Sequence, residues 1–309
     1  MPKKHSPHTL DAYRRDLATI SLELAAVLGK ESEVITIDDL DVKALRLAFA
    51  AISDRSAATV SRMWSTWNQL FTFLVADQVL PGNPMAAVEK PKLPKSRPKA
   101  ITGDESVERL LTVAAKGRAR ARNPWPERDL AIVVTLLTCG LRLSELLNLR
   151  IDSIDGPEGD RILGVKGKGN KERTVPVEPE VESILVDYLE SRMRRFPGRL
   201  DFQTSLFVDG KGEPMKRGGL QYLVESLYRE AGIRSNVPAG ALVHALRHTF
   251  ATSLARNGAG GVELQRLLGH ESLATTQRYI DATAREIRLA ARANDAYRVI
   301  RAMEEPNGR

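Results

Sequence analysis

The sequence predicts a mainly α protein of the α+β kind, with a helical domain over residues 1–89, a basic linker over 90–99 and a second domain over 100–309. Three observations predict this organisation. Apolar residues recur at helical spacing through the first ninety residues. The segment KPKLPKSRPK follows them. Two β-branched runs then flank a glycine-rich turn in an otherwise helical second half, which predicts a small antiparallel sheet.

Start signals place three helices in the first domain. The starts are predicted at the Ser6-Pro7 pair, at residues 36–38 and near Ser56, and Gly29 is expected to end the first helix. Trp64 and Trp67 lie three residues apart on the third helix, and we interpret them as core packing rather than as a surface for stacking bases.

The predicted linker, residues 90–99, contains five basic residues, three prolines and no acidic residue. Proline stiffens such a segment and blocks a helix. A solvated spacer and a strap along phosphate groups both fit this composition. The basic residues available for phosphate contact are Lys90, Lys92, Lys95, Arg97 and Lys99.

The second domain is predicted as helices around one hairpin. Thr102 is expected to cap a helix through residues 107–113, and a buried helix through 130–137 is expected to break at Gly140. A two-stranded hairpin is predicted between Arg161 and Val177. The remaining expectations are helices over 181–195 and 219–231, a short strand at 206–208, and a helical pattern from 241 to 303 interrupted at 258–261 and 269.

Charge and composition bound the function. There are 46 Lys and Arg against 39 Asp and Glu, and a net charge of +7 is compatible with a polyanionic partner. A single cysteine excludes a disulfide framework and a cysteine-cluster zinc site. No apolar run approaches the roughly 18 residues of a membrane span, and no signal peptide is recognisable. We therefore expect no membrane association and a cytoplasmic location.

Two motifs that suggest other chemistry fail on inspection. The glycine-rich segment 164–171 lacks the spacing of a Walker loop and of a dinucleotide fingerprint, so no nucleotide cofactor is predicted. His244 and His248 have the spacing of a zinc-protease helix, and His270 could complete the set. However, Ala245 stands where such enzymes have glutamate, and a zinc hydrolase remains a minor alternative.

Cleavage of a phosphodiester without a metal requires a different set of groups. Arginines neutralise the phosphate charge, histidines or lysines move protons, and a side-chain nucleophile divides the reaction into two transfers. Spacing alone does not single out such residues here. One set of that composition in the second domain is Arg142, Lys168, His244, Arg247, His270 and Tyr279.

The strings around these residues closely resemble the tyrosine recombinase (phage integrase) family, and its Xer branch in particular. They are TCGLRLSEL from Thr138, GKGNKER from Gly167, HALRHTFAT from His244, LLGH from Leu267 and TTQRY from Thr275. The segment from His8 to Leu17 and the segment from Asn83 to Lys92 resemble the core-binding domain and linker of Xer proteins. The resemblance therefore implies that residues 1–89 clamp DNA and that 100–309 are catalytic.

The resemblance implies a role for each of the six residues. Arg142 and Arg247 take the positions of the two arginines that clamp the scissile phosphate. Lys168 takes that of the hairpin lysine which protonates the leaving 5′-oxygen. His244 and His270 fill the two histidine positions, and Tyr279 fills that of the nucleophile, which forms a 3′-phosphotyrosyl bond.

The residues near these six have supporting or structural interpretations. Glu145 is placed to orient Arg142, or is a solvated helix carboxylate, and Lys166 and Lys171 contact phosphates or are merely solvated. His248 is read as a supporting or structural residue, and Cys139 as a small buried hydrophobe. For the tyrosines other than Tyr279, packing is the expectation; these are Tyr13, Tyr188, Tyr222, Tyr228 and Tyr297.

The implied activity is site-specific recombination by transesterification, with no ATP, metal or other cofactor. The implied partners are double-stranded recombination sites and three further protomers, forming a homotetramer or a heterotetramer with a second recombinase that resolves a Holliday junction at the nucleoid. Residues 282–303 are expected to pack into a neighbouring protomer, or onto their own domain.

Alternatives remain for the biological role. Because the resemblance begins near residue 8, no arm-site binding domain is expected, which favours a Xer-like enzyme. The first helix nevertheless lacks the aromatic residues usual in Xer proteins, so an integrase of a compact mobile element or phage stays open. A catalytically silent DNA-binding regulator is the alternative from another class, although it would have no need for Tyr279.

Overall fold

The computed structural model describes residues 7–93, 100–101, 104–167, 171–199, 201, 203–237, 240–269 and 276–277. The chain divides into two compact units, Met1–Ser96 and Arg97–Arg309. The division falls inside the segment predicted as a linker, and residues 94–99 of that segment lie outside the described residues. No helix of the described residues is long and apolar enough to cross a membrane.

The described residues of the first unit form three α-helices. They are α1 (Pro7–Leu28), α2 (Val42–Ala51) and α3 (Ala57–Ala76), with 3₁₀ turns at Ser32–Val34, Ile37–Asp39 and Pro84–Ala87. As predicted, Gly29 follows α1 with a left-handed φ of +64°, and Ser56 caps α3 by accepting a hydrogen bond from the Thr59 amide. Ser6, the predicted cap of α1, lies outside the described residues.

The predicted start of α2 at residues 36–38 is wrong. Asp39 accepts a hydrogen bond from the Thr36 amide, which closes a single 3₁₀ turn. Asp41 then caps α2 separately by accepting from the Ala44 amide at 2.7 Å. Two capping aspartates in succession divide what the apolar spacing suggested was one helix.

The core of the first unit supports the packing interpretation of the tryptophans. Trp67 is 3% exposed and packs beside Phe71, with ring centroids 5.9 Å apart. Trp64 is partly buried against the same core and donates its indole N–H to the Val88 carbonyl. Asp16 is buried, pairs with Arg62 and accepts from the Thr66 hydroxyl, which joins α1 to α3.

The second unit contains seven described α-helices and a small sheet. The helices are α4 (Asp104–Lys116), α5 (Pro126–Cys139), α6 (Leu143–Leu147), α7 (Pro179–Arg195), α8 (Arg217–Glu230), α9 (Leu242–Arg256) and α10 (Gly261–Leu268), with 3₁₀ turns at Ile151–Ser153 and Arg234–Asn236. Helix α5 is central, since it contacts α4, α7, α9 and the sheet. Thr102, the predicted cap of α4, lies outside the described residues.

The sheet has three antiparallel strands in the order β1 (Ile154–Asp155), β2 (Arg161–Lys166) and β3 (Glu172–Val177). The predicted hairpin is β2–β3, in a register that pairs Leu163 with Val175 and Lys166 with Glu172. The third strand was not predicted, because β1 is two residues long and too short to show a pattern.

The predicted strand at Leu206–Val208 is wrong, although its side chains are buried as expected. The isolated bridges here join Arg150 to Ser205 and Val208 to Pro214, and backbone hydrogen bonds run from the Leu206 amide to Leu149 and from the Met215 amide to Phe207. The Tyr188 hydroxyl adds two more bonds, because it donates to the Leu206 carbonyl and accepts from the Val208 amide.

Candidate active site

The candidate site begins where α5 ends. Gly140 follows α5 with φ +58°, in the left-handed region that glycine tolerates, and this breaks the helix where the sequence predicted. A Cβ atom at Gly140 would lie 2.2 Å from Cδ1 of Phe250 on α9. Glycine therefore permits both the turn and the close approach of α9. Two residues later, Arg142 occupies the N-cap position of α6.

Glu145, in the first turn of α6, is the centre of the site. Only 3% of the residue is exposed, so the alternative of a solvated carboxylate is wrong. It accepts hydrogen bonds from the Arg142 amide at 2.8 Å and from Arg142 Nη1 at 2.6 Å. It also accepts two from Arg173 on β3, at 3.0 and 2.8 Å. The carboxylate thus joins α6 to the sheet.

The ionisation of Glu145 is set by these partners. Burial alone would raise its pKa, because a buried carboxylate loses hydration. Hydrogen bonds from Arg173 and Arg142 outweigh burial and lower the pKa from 4.5 to about 2. Glu145 is therefore a carboxylate throughout the physiological range.

Arg247 brings α9 to the same place. It is 4% exposed, and its Nη1 lies 3.8 Å from Oε2 of Glu145. Nη1 donates to the Gly140 carbonyl and Nη2 to the Leu268 carbonyl, both at 2.5 Å. The structure therefore brings Arg142 and Arg247, 105 residues apart in the sequence, around one buried carboxylate.

The carboxyl end of α10 is held by arginines. The carbonyl of Leu267 accepts from Arg173 Nε at 2.9 Å, and the carbonyl of Gly269 accepts from Arg142 Nη2 at 3.1 Å. With the bond from Arg247 to Leu268, three consecutive carbonyls each bind a different guanidinium. The last carbonyls of a helix have no partner within it and carry its negative dipole end, which favours cations there.

The histidines of α9 lie on one face. The ring centroids of His244 and His248 are 6.0 Å apart, as expected for residues one helical turn apart. His244 is exposed and His248 is half-buried. Within the described residues, no group of three His, Cys, Asp or Glu side chains is arranged to hold a metal ion. The zinc alternative also required His270, which lies outside those residues.

Three of the six predicted catalytic residues lie outside the described residues: Lys168, His270 and Tyr279. Gly167, which precedes Lys168, and Gly269, which precedes His270, are described and lie beside the Glu145 cluster. A Cβ atom on Gly167 would lie 3.6 Å from Oε1 of Glu145, and one on Gly269 would lie 3.1 Å from Nη1 of Arg173. The backbone that leads into Lys168 and the backbone that leads into His270 therefore both start at the Glu145 cluster.

Comparison with known proteins identifies the family of the chain. A model of the phage integrase family matches residues 100–286, and a model of the N-terminal SAM-like domain of phage integrases matches residues 1–78. The chain belongs to the tyrosine recombinase (phage integrase) family. The predicted family is confirmed, as is the mainly helical fold with a small antiparallel sheet.

Individual relatives place this recombinase near the Xer branch, as predicted. It is 32% identical to tyrosine recombinase XerD of Listeria monocytogenes over 281 residues, covering 90% of this chain and 89% of the relative. It is 33% identical to tyrosine recombinase XerC of Alcanivorax borkumensis, covering 90% and 84%. Among solved structures, the post-cleavage complex of the XerH site-specific recombinase with palindromic difH substrate has the same fold. The TM-score is 0.72 and the sequence identity 22%, and the match covers 92% of this chain and 79% of the XerH chain.

The predicted DNA-binding residues of the recombinase are described only in part. Lys90 lies over the Trp64 ring, 5.0 Å from its centroid, and donates to the Ser65 hydroxyl at 3.0 Å. Lys92 is exposed, whereas Lys95, Arg97 and Lys99 lie outside the described residues. Lys166 pairs with Glu172 across the hairpin at 3.4 Å, with both side chains largely exposed, and Lys171 is also exposed.

The other tyrosines differ in burial. Tyr188 and Tyr228 are fully buried, and burial raises the pKa of both hydroxyls, so packing is confirmed for these two. For Tyr222 the packing expectation is wrong, because it is 63% exposed. Tyr13 is half-buried and donates to Gln69, and Tyr297 lies outside the described residues. Cys139 is 1% exposed, and burial raises the pKa of its thiol, so the interpretation as a buried hydrophobe is confirmed.

Sequence reasoning missed Arg173, which binds Glu145 through two donors. A signal was present, because Arg173 is the last residue of the GKGNKER string. However, its partner is 28 residues away and on another element. In a run that contains two other basic residues, composition does not reveal which one turns inward.

Proposed function

We propose that this recombinase cleaves and rejoins DNA at a specific site by transesterification, with Tyr279 as the nucleophile. The observation that carries the proposal is the pair of guanidinium groups, Arg142 and Arg247, gathered around the buried carboxylate of Glu145. Two arginines in one place suit the two non-bridging oxygens of a phosphodiester. The segments that lead to Lys168 and His270 start from the same cluster.

The reaction has two balanced steps. In the first, a histidine, His244 or His270, takes the hydroxyl proton of Tyr279 as its oxygen attacks phosphorus and forms a 3′-phosphotyrosyl ester; the bond to the 5′-oxygen breaks and Lys168 gives that oxygen a proton. In the second, the 5′-hydroxyl of another strand returns a proton to Lys168 as it attacks the ester, and the tyrosine oxygen leaves and regains its proton from the histidine. Each step exchanges one phosphodiester for another, so the sequence of steps conserves ester energy and requires no nucleotide hydrolysis.

The clamp arginines stabilise the charge that grows on the phosphate oxygens in each step. Preorganised donors of this kind are typically worth about 10²–10³-fold in rate each. Glu145 fixes Arg142 through both its backbone amide and its side chain, so this guanidinium is oriented before DNA arrives. We assign proton transfer to His244, which is exposed on α9 three residues before Arg247.

The partner class is double-stranded DNA carrying a recombination site. The assembly that we propose is a tetramer of this chain, or of this chain with a second recombinase, which exchanges four strands through a Holliday junction. The Xer-like role is favoured by relatives that match about nine-tenths of the chain. An integrase of a compact mobile element uses the same chemistry, and the recovered DNA site would distinguish the two roles.

The experiment that tests the proposal traps the covalent intermediate. Purified protein is mixed with sheared genomic DNA of its source and quenched with SDS, and DNA attached to protein is sequenced. The variants are Tyr279→Phe and, as a matched control, Tyr222→Phe, which removes the hydroxyl of an exposed tyrosine. We expect adducts at one sequence with the wild type and with Tyr222→Phe, and none with Tyr279→Phe.

The other outcomes identify the alternatives. Adducts that persist in Tyr279→Phe would show that another residue is the nucleophile. DNA binding without an adduct in any of the three proteins would indicate the catalytically silent regulator. A zinc hydrolase using His244, His248 and His270 would release free ends with no adduct and would lose activity with a chelator.

A further inference from the structure

We propose that Arg173 is a positioning residue for the protonation of the leaving 5′-oxygen. It would act by fixing the β2–β3 turn, which carries Lys168, relative to Arg142. The inference rests on the proposed function and adds to it a residue that the recognised set of six does not contain. It follows from the contacts that Arg173 makes with three separate elements.

Arg173 joins the sheet to α6 and α10. Its Nη1 and Nη2 bind the two oxygens of Glu145 at 3.0 and 2.8 Å, and its Nε binds the Leu267 carbonyl at 2.9 Å. The side chain is only 12% exposed. A planar fork with several donors makes these contacts together, whereas a lysine ammonium is a compact point charge and cannot reproduce them.

The contacts at Glu145 set the distance from the clamp to the hairpin turn. One carboxylate oxygen, Oε1, binds both Arg142 Nη1 at 2.6 Å and Arg173 Nη1 at 3.0 Å. The backbone of Arg173 pairs with Val165 in the β2–β3 ladder. The turn between these strands is thereby tied, through one side chain and one carboxylate, to the arginine that we assign to the phosphate.

Gly167 shows how closely the turn approaches this pair. Its amide donates to the Lys171 carbonyl at 2.7 Å, which closes the base of the turn. A Cβ atom at Gly167 would lie 3.6 Å from Glu145 Oε1 and 3.9 Å from Arg173 Nη1. The backbone therefore packs against the ion pair immediately before Lys168. Loss of the Arg173 side chain would remove both its packing against Gly167 and its hydrogen bonds to Glu145 on α6.

The described contacts of Arg173 are with Glu145 and the Leu267 carbonyl, through Nε and both Nη atoms, and they tie the hairpin to α6 and α10. Its effect should therefore pass through Lys168. Misplacement of a catalytic group by 1 Å can cost about 10²-fold in rate, so we expect a loss of that order in strand cleavage.

The test compares two leaving groups. Oligonucleotides carrying the site recovered from the adducts are made with the normal 5′-bridging oxygen and with sulfur in its place. A thiol has a pKa of about 8.5, far below that of an alcohol, so a thiolate leaves without receiving a proton. We expect Arg173→Ala and Arg173→Lys to cleave the oxygen substrate about 10²-fold more slowly than wild type, and the sulfur substrate within about tenfold of wild type.

The matched control is Arg161→Ala. Arg161 is on β2 of the same sheet and binds Glu182 through Nε at 2.9 Å, away from the Glu145 cluster. It should cleave both substrates at wild-type rates. Arg173→Lys keeps the charge and the fold if Arg173→Ala unfolds, and circular dichroism checks both.

Each outcome is decisive for one of the two proposals. If wild type forms adducts and the Arg173 variants are equally slow on both substrates, or match wild type on both, the positioning role is overturned and the recombinase chemistry stands. If wild type forms no adduct with either substrate, the proposed function falls and the inference falls with it.

Discussion

At the scale of single residues, Glu145 keeps a negative charge where water is nearly excluded. Its pKa is about 2 in the folded protein against 4.5 ordinarily, so the unfolded chain binds a proton more readily as the pH falls. The contribution to stability is complete above about pH 5 and disappears as the pH falls toward 2. From the shift, it is on the order of 3 kcal/mol.

Replacement of Glu145 by glutamine tests this contribution. We expect Glu145→Gln to lower the free energy of unfolding by about 3–5 kcal/mol at pH 7, because three arginines lose their carboxylate. The difference from wild type should shrink between pH 5 and pH 2.5. Urea unfolding followed by circular dichroism at several pH values measures it. The control is Glu190→Gln, which removes an exposed ion pair with Arg194 and should change the free energy of unfolding by less than about 1 kcal/mol. If Glu145→Gln differed from wild type by the same amount at every pH, the lowered pKa of Glu145 would not be the source of this stability.

At the scale of elements, the junction between α5 and α6 depends on Gly140. An alanine there would be strained by the left-handed φ, and its Cβ would collide with Phe250. We expect Gly140→Ala to lower the free energy of unfolding by about 2–5 kcal/mol, because strain costs roughly 1–2 kcal/mol and overpacking typically adds 1–3.

Gly232→Ala is the control for Gly140→Ala, and thermal and urea unfolding compare the two. Gly232 follows α8 with φ +66° and no atom within 4 Å of an added Cβ, so only the strain applies. Its cost should stay near 1 kcal/mol. Equal losses in the two variants would show that the contact with Phe250 is unimportant.

Local signals in the sequence predicted most element boundaries. Gly29 and Gly140 were read correctly as helix ends, and Ser56 as a cap, because each acts within one turn of the chain. The predicted start of α2 is too early because Asp39 and Asp41 each accept a hydrogen bond from a backbone amide and so define two separate turns. The predicted strand at 206–208 is wrong because its backbone bonds scattered partners, Leu149, Met215 and the Tyr188 hydroxyl, in place of one strand.

The same distinction applies to the site. The pairing of Arg142 with Glu145 was predicted because it spans one helical turn. The approach of Arg173 and Arg247 to Glu145 depends on how the sheet and α9 pack against α6. Local patterns in a single sequence do not reveal such long-range packing.

At the scale of the whole molecule, the excess of positive charge predicts salt-dependent DNA binding. Each phosphate neutralised by a lysine or arginine contributes about −0.9 to the slope of log K against log salt. If the linker lies along DNA, replacing Lys92, Lys95, Arg97 and Lys99 with glutamine should reduce the slope by up to about 3.6. Fluorescence anisotropy with a labelled duplex measures this change.

The control is the double variant Lys43→Gln with Lys211→Gln, which neutralises two exposed lysines outside the linker. An unchanged slope in the linker variant would favour the interpretation of the linker as a solvated spacer.

The arginines at the carboxyl end of α10 affect the charge of the folded protein around Glu145. Three guanidinium groups, Arg142, Arg173 and Arg247, share the single carboxylate of Glu145 among the described residues of this cluster. Backbone carbonyls of α10 offset part of the repulsion through their dipoles, but a dipole does not cancel a full charge. Among the described residues this cluster therefore carries more positive than negative charge, which favours an anion such as the DNA phosphate that we propose as the substrate. Folding and substrate binding are thus thermodynamically linked, since a ligand that binds only the native state stabilises it.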